Sequence, residues 1–154
     1  DLTFGDPSLF RHLRGTEGPN QAQALHRFFT VLALCHTAVV DEGSSSESKR
    51  IIYKAESPDE KALVGAAADV GFAFLRRQRT TITLSVLGEE QTWEQLQILA
   101  FDSTRKRMSV VVRRVDEGKS NDPTHGHVLL MTKGADNVIM ERLAPGQDEK
   151  IRKT

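Results

Sequence analysis

Three stretches of this chain carry side chains suited to holding a flat, negatively charged molecule. The first, Phe101-Asp102-Ser103-Thr104-Arg105-Lys106-Arg107, sets an aromatic ring, a polar turn and three consecutive cations side by side. Such a ring stacks on a base, and cations beside it meet phosphates. The second, Ser57-Pro58-Asp59-Glu60, offers in Glu60 a carboxylate that accepts a hydrogen bond from an exocyclic amine. In the third, Lys133-Gly134-Ala135-Asp136, a lysine leaves an extended segment and a glycine lets the backbone turn closely. Each has a plainer reading. Phe101 serves equally as a core residue at a strand end, with the cations on a solvated face. Glu60 completes a capping box with Ser57. Lys133 is then an exposed strand-end lysine ahead of a helix capped by Asp136.

The acid also speaks to which base would fit. Adenine presents an amine where guanine presents a carbonyl, so a carboxylate there favours adenine. A mismatched buried polar group costs about 1–3 kcal/mol. Other chemistries lack their parts. There is no Gly-x-x-x-x-Gly-Lys-Ser/Thr phosphate loop and no Gly-x-Gly-x-x-Gly fingerprint. His125 and His127 read as loop residues, not metal ligands. Cys35-His36 reads as a buried cysteine beside a satisfied histidine, because nothing nearby supplies the rest of a nucleophilic site. No catalytic residue and no metal ligand is assigned.

The elements that must position these stretches follow from periodicity. Residues 1–18, broken by Gly5, Pro7, Gly15 and Gly18, read as an irregular lead-in with a short helical turn near Ser8–Leu13. Residues 19–154 form one domain. Leu25, Phe28, Phe29, Leu32 and His36 recur at helical spacing, which predicts a helix from Pro19 to Thr37 or Ala38. Residues 41–49 are Ser-rich and charged, a surface loop. Ile51–Lys54 reads as a short strand. Ser57 as N-cap, Pro58 at the first helical position and Gly71 at the end bound a second helix, whose buried side holds Ala62, Leu63, Ala66, Ala67 and Val70. From Phe72 the period changes to two. Strands are expected over 72–76, 80–86 and 92–101, with a turn at Gly88-Glu89-Glu90. A strand follows the Asp-Ser-Thr turn, with Lys106, Met108, Val110 and Val112 on one face. After a loop over 116–126, a last strand runs from His127 to Lys133 and a short helix from Asn137 to Leu143. Hairpin-length links imply an α+β fold: a twisted antiparallel β-sheet flanked by helices.

The totals set limits. The chain has 154 residues, with 21 Lys plus Arg against 21 Asp plus Glu, so anion binding must come from local placement rather than a global field. A lone Cys35 excludes an internal disulfide. No apolar run approaches the length of a membrane span, and no secretory signal is found.

Taken in order, Ser57-Pro58-Asp59-Glu60 with Ala62-Leu63-Val64, then Phe101-x-Ser103-x-Arg105-Lys106-Arg107-Met108-Ser109-Val110, then Lys133-Gly134-Ala135-Asp136 resemble the nucleotide-binding domain of P-type ATPases. The detail is similar to the type IV branch, the phospholipid flippases, and Leu32-Ala33-Leu34-Cys35-His36-Thr37 resembles that branch's first domain helix. The resemblance covers about Phe28 to Leu143. It implies a cytosolic domain that holds ATP, with Mg²⁺ arriving on the nucleotide, and presents it for phosphorylation of an aspartate on a neighbouring domain absent here. It implies that Phe101 stacks on adenine, that Glu60 lies near the adenine amine, that Ser103 and Lys106 line the nucleotide, and that Lys133 sits deep in the pocket, with Gly134 beside it among the nucleotide-binding residues. The parent enzyme would be an ATPase that moves phospholipid, a multi-pass membrane protein with phosphorylation and actuator domains and an accessory membrane subunit. The isolated domain would be a soluble, catalytically inactive monomer at the cytosolic face of a membrane.

Departures are also visible. Lys61 stands where the family commonly has a small residue. Asp102 adds negative charge beside the phosphate positions. The phosphorylated Asp-Lys-Thr-Gly-Thr segment is missing, and the family's later nucleotide-contacting arginine is assigned to neither Arg142 nor Arg152. The expectation is a domain fragment lacking its last piece. The alternative from another class is a protein-interaction module without nucleotide binding, using loop 41–49 or the basic strand face. RNA binding is disfavoured by one Trp, one Tyr and zero net charge.

Overall fold

The computed structural model describes residues 6–41, 51–116 and 123–147. Most of loop 41–49, the centre of loop 116–126 and Arg152 lie outside the described residues. Strands β3 (Phe72–Gln78), β4 (Thr81–Val86), β5 (Glu89–Leu99), β6 (Arg107–Arg114) and β7 (Val128–Gly134) form a five-stranded antiparallel meander in chain order. Helices α1 (Pro7–Leu13), α2 (Pro19–Leu34), α3 (Pro58–Val70) and α4 (Asp136–Met140) accompany it, with a small ribbon of β1 (Val39–Val40) and β2 (Tyr53–Lys54). This is the expected α+β architecture, and no closed barrel forms.

Period-two alternation explains the core. Phe72, Phe74, Ile82, Leu84, Trp93, Met108, Val110 and Val112 are all buried and meet Phe29, Leu32 and Ala33 of α2 and Val64, Ala67 and Val70 of α3 in one cluster. Beyond a bulge between Gln95 and Gln97 the core runs out, and Leu96, Ile98 and Leu99 are exposed. The turn expected at Gly88–Glu90 falls one residue earlier. Val86 pairs with Glu89, and Leu87 and Gly88 both take positive φ (50° and 94°), as a two-residue type I′ hairpin requires. Glu89 and Glu90 therefore belong to the strand. Of 51–54, only Tyr53 and Lys54 pair, and their partner Val39–Val40 was not expected as a strand.

The larger correction concerns α2. It stops at Leu34, short of Thr37 or Ala38, because Cys35 leaves the helix (φ −87°, ψ 70°). The departure puts Cys35 and His36 in the interior, each 0% exposed. The Cys35 thiol points at the carbonyls of Met108 (3.5 Å) and Met131 (3.8 Å). His36 Nε2 lies 2.9 Å from the Ala33 carbonyl, which can only accept, so this nitrogen carries the proton. Its ring meets Phe74 edge-on at 4.7 Å.

Burial holds the His36 ring neutral and pushes its pKa down to about 4; the Ala33 carbonyl and Glu60 oppose the shift, and Arg77 and Lys133 add to it. Between the usual histidine value near 6.5 and about 4, the unfolded chain binds the extra proton and the folded chain does not. Stability contributed by the neutral ring is therefore complete above the higher value and declines as pH falls through this window, by roughly 3 kcal/mol in total. Urea midpoints measured from pH 7 to 4 should fall more steeply for the parent than for His36→Gln, which keeps a donor for Ala33 but does not titrate. Parallel curves would show that His36 does not carry the acid sensitivity.

Candidate functional site

The connection from β5 to β6 is a turn wound around one carboxylate. Asp102 Oδ1 accepts the backbone N–H groups of Thr104 (2.8 Å) and Arg105 (2.6 Å), while the Asp102 carbonyl accepts from Lys106 (2.8 Å). Arg105 closes the turn by donating to the Ala100 carbonyl at 2.9 Å. Asp102 is thus engaged in building the turn, as the short polar side chains of the Asp-Ser-Thr run led one to expect, and its charge stays beside the cations. Ser103 and Thr104 lie exposed on the turn. The Phe101 ring is 61% exposed, so the plainer reading of a core aromatic fails. Lys106 takes a left-handed conformation (φ 52°), unusual for a residue with a long side chain and concentrated at sites where the surroundings impose it.

What imposes it is the end of β7. Met108 pairs with Lys133 and Arg107 with Gly134, and the Ala135 N–H donates to the Lys106 carbonyl at 3.0 Å. A Cβ at Gly134 would lie 2.6 Å from both Arg107 Cβ and the Lys106 oxygen. The glycine is there for a close backbone approach, as its position suggested, but the backbone approached is β6. Paired residues share a face, so Lys133 shares the helix side of the sheet with Met108 and stands half-buried at its margin.

Glu60 stands in the first turn of α3. Ser57 caps α3 as expected, its hydroxyl accepting the Glu60 N–H at 3.1 Å. The return half of the capping box is not made. Instead the Glu60 carboxylate takes two hydrogen bonds from Thr37: Oε1 accepts the N–H at 2.9 Å and Oε2 the hydroxyl at 3.1 Å. Both Lys133 and Glu60 act electrostatically on Cys35 and His36, whose segment packs between α3 and the β6–β7 pair. Burial pushes the Cys35 thiol up, and Lys133 only partly offsets it, so the group is a protonated filler rather than a nucleophile.

Sequence reasoning missed Arg77. Its guanidinium bonds Gln95 Oε1 and the His36 carbonyl (3.1 Å) and lies 5.7 Å from the centre of the Phe74 ring. Nothing in the strand's alternation marks it, since on β3 it looks like a solvent-side cation. Thr37 was also missed, although it closes the Cys-His-Thr run that carried part of the resemblance. Among the described residues neither Lys106 nor Lys133 is ion-paired, and no group of three His, Cys, Asp or Glu could hold a metal ion.

A separate groove of about 600 Å³ lies at the far end of the sheet, between α2 and the segments carrying Trp93, Arg114 and Met131. It contains none of the predicted site residues. No helix of the described residues is long and apolar enough to cross a membrane.

Residues 24–145 match the family described as P-type ATPase, cytoplasmic domain N. The chain is 42% identical over 154 residues to phospholipid-transporting ATPase dnf2 of Schizosaccharomyces pombe, covering 100% of this chain and 10% of that protein. It is 45% identical over 144 residues to phospholipid-transporting ATPase IC of Xenopus tropicalis (94% and 10%), and 45% identical over 142 residues to phospholipid-transporting ATPase IK of Homo sapiens (92% and 10%). The chain spans about a tenth of the length of these curated relatives.

The contact at Gly134 yields a test of the corner. Gly134→Ala should destabilise the chain by roughly 1–3 kcal/mol in urea unfolding, because the obstructing atoms include backbone. Amide exchange at Ala135 should quicken as its bond to Lys106 stretches. Unchanged stability and exchange would mean that the two strand ends separate at no cost.

Proposed function

The chain belongs to the P-type ATPase family, as its cytoplasmic domain N, and on that premise we propose that it binds ATP for a phospholipid-translocating enzyme of the type IV branch. In this reading residues 19–154 are the nucleotide-binding domain. The names of the relatives support lipid transport by the parent. The bond from Ala135 to Lys106 is the observation that supports the site most. It makes neighbours of the ring-bearing turn and the lysine-glycine corner, which the sequence separates, and among the described residues neither lysine has an acidic partner.

Phe101 offers an exposed face on which adenine stacks. Glu60, acceptor-only when ionised, keeps lone pairs beyond the two that Thr37 occupies and takes the adenine amine. Ser103 donates to the nucleotide, and Lys106 and Lys133 meet phosphate oxygens as point charges, with Gly134 holding them adjacent. Mg²⁺ comes with the triphosphate and lowers its charge. This chain's task is then to hold the base and orient the triphosphate, since positioning is the main contribution a protein makes to phosphoryl transfer. The acceptor aspartate, the actuator, the phospholipid and an accessory membrane subunit belong to the rest of the enzyme, with this domain on the cytosolic side. By itself the chain is monomeric and does not hydrolyse ATP.

Trp93 lines the remote groove, so amide chemical shifts are the suitable probe for a titration. Phe101→Ala should weaken ATP binding roughly 5- to 150-fold, the value of one base–aromatic stack, without lowering the melting temperature, because the ring is exposed. GTP should bind more weakly than ATP to the parent. Equal affinity of Phe101→Ala and parent for ATP, or binding of single-stranded RNA with indifference to ATP, would reject the assignment.

A further inference from the structure

Glu60 sits at the third position of α3, where a carboxylate ordinarily folds back on its own N-cap. Here it turns away and is gripped by a residue 23 positions earlier. The grip is two-pronged, one donor of Thr37 to each carboxylate oxygen, so it fixes the plane of the carboxylate as well as its position. Thr37 is itself fixed. The carbonyl of the preceding His36 accepts from Arg77, and His36 is wholly buried against Phe74. The side chains of both Thr37 and Glu60 reach solvent, so the pair does not fill the core.

We infer that Thr37 is a positioning residue for base selection: it holds the Glu60 carboxylate so that its remaining lone pairs face an exocyclic amine and reject a carbonyl. The inference rests on the nucleotide-binding reading and extends it to a residue that need not touch the ligand. A carboxylate free to rotate meets guanine by swinging aside into water, which solvates it readily. A carboxylate clamped on both oxygens cannot, and the repulsion between two acceptors is then felt in full. The hydroxyl therefore acts on the difference between two bases more than on affinity for either. The backbone N–H survives any side-chain change, so only one of the two prongs can be removed by substitution.

The test compares ATP and GTP affinities of the 154-residue chain with those of Thr37→Val and Thr37→Ser, each with its melting temperature. Thr37→Val keeps the shape and loses the donor, and Thr37→Ser keeps the donor. Thr37→Val should narrow the ATP-over-GTP ratio roughly 10- to 150-fold, the range expected for one hydrogen bond to a charged group, mostly by improving GTP. Thr37→Ser should restore the parent ratio. A parent that prefers ATP while Thr37→Val keeps the same preference overturns the positioning role and leaves the binding site standing. Failure of Thr37→Ser to restore the ratio also overturns it, because the methyl group rather than the hydroxyl would then matter. A parent that binds neither nucleotide rejects the nucleotide-binding reading itself, and this inference with it.

Discussion

The structure depends on α2 ending where it does. An irregular segment inside a protein must find partners for its polar groups, because water cannot supply them. Cys35 and His36 form such a segment, wholly buried, and except for His36 Nδ1, which has no partner among the described residues, their partners come from every side. The Cys35 N–H returns to Val31 (2.8 Å) and the His36 N–H to Leu34 (3.1 Å). The thiol reaches the carbonyls of β6 and β7, the imidazole reaches Ala33, and the His36 carbonyl takes Arg77 from β3. Thr37 then hands its donors to α3. Three residues thus tie two helices to three strands, and one more turn of helix would break each of those ties.

A second constraint operates at the opposite wall of the corner. Gly134 and the left-handed Lys106 are two halves of one contact. The end of β7 lies so close to the start of β6 that no Cβ fits, and Lys106 must bend the chain away from the β-region to admit it. A left-handed non-glycine residue is uncommon and persists only where neighbours over-determine it. Here the neighbours are the Asp102-wound turn on one side and the Ala135 N–H on the other. The positions of Lys106 and Lys133 are consequently set by backbone geometry.

Legibility followed the range of the interactions. The meander was readable because alternation and hairpin turns are local, and the bounds of α3 were readable because Ser57, Pro58 and Gly71 punctuate it, but its buried side was not: Ala62 and Leu63 are exposed, and Val64 is buried with Ala67 and Val70. The end of α2 was not, because Leu25 to His36 keeps helical spacing past the point where burial of Cys35 against β6 and β7 takes over. The Leu87-Gly88 turn was misplaced by one residue because left-handed Leu87 has no mark in sequence. The candidate site was legible as residue types in three stretches. The Ser57/Glu60 pair read as a reciprocal box, yet the acid's partner comes from a different element, and short-range rules cannot weigh a donor 23 residues away. Arg77 was invisible for the same reason.

The arrangement also bears on how a domain of this kind would hand on a phosphate. The ring is exposed and one-sided, the acid lies at a rim, and the cations stand at a sheet margin rather than at the bottom of a closed cavity. Enclosure on this scale of exposure cannot supply most of the affinity, because desolvation is what makes charged contacts strong. If ATP binds here, it is held at the base end and left accessible at the phosphate end. That suits transfer to a group on another domain and suits hydrolysis by this one poorly. On the proposed reading, the contacts of Thr37 with Glu60 and of Gly134 with the start of β6 are what would orient base and phosphates in an otherwise open site.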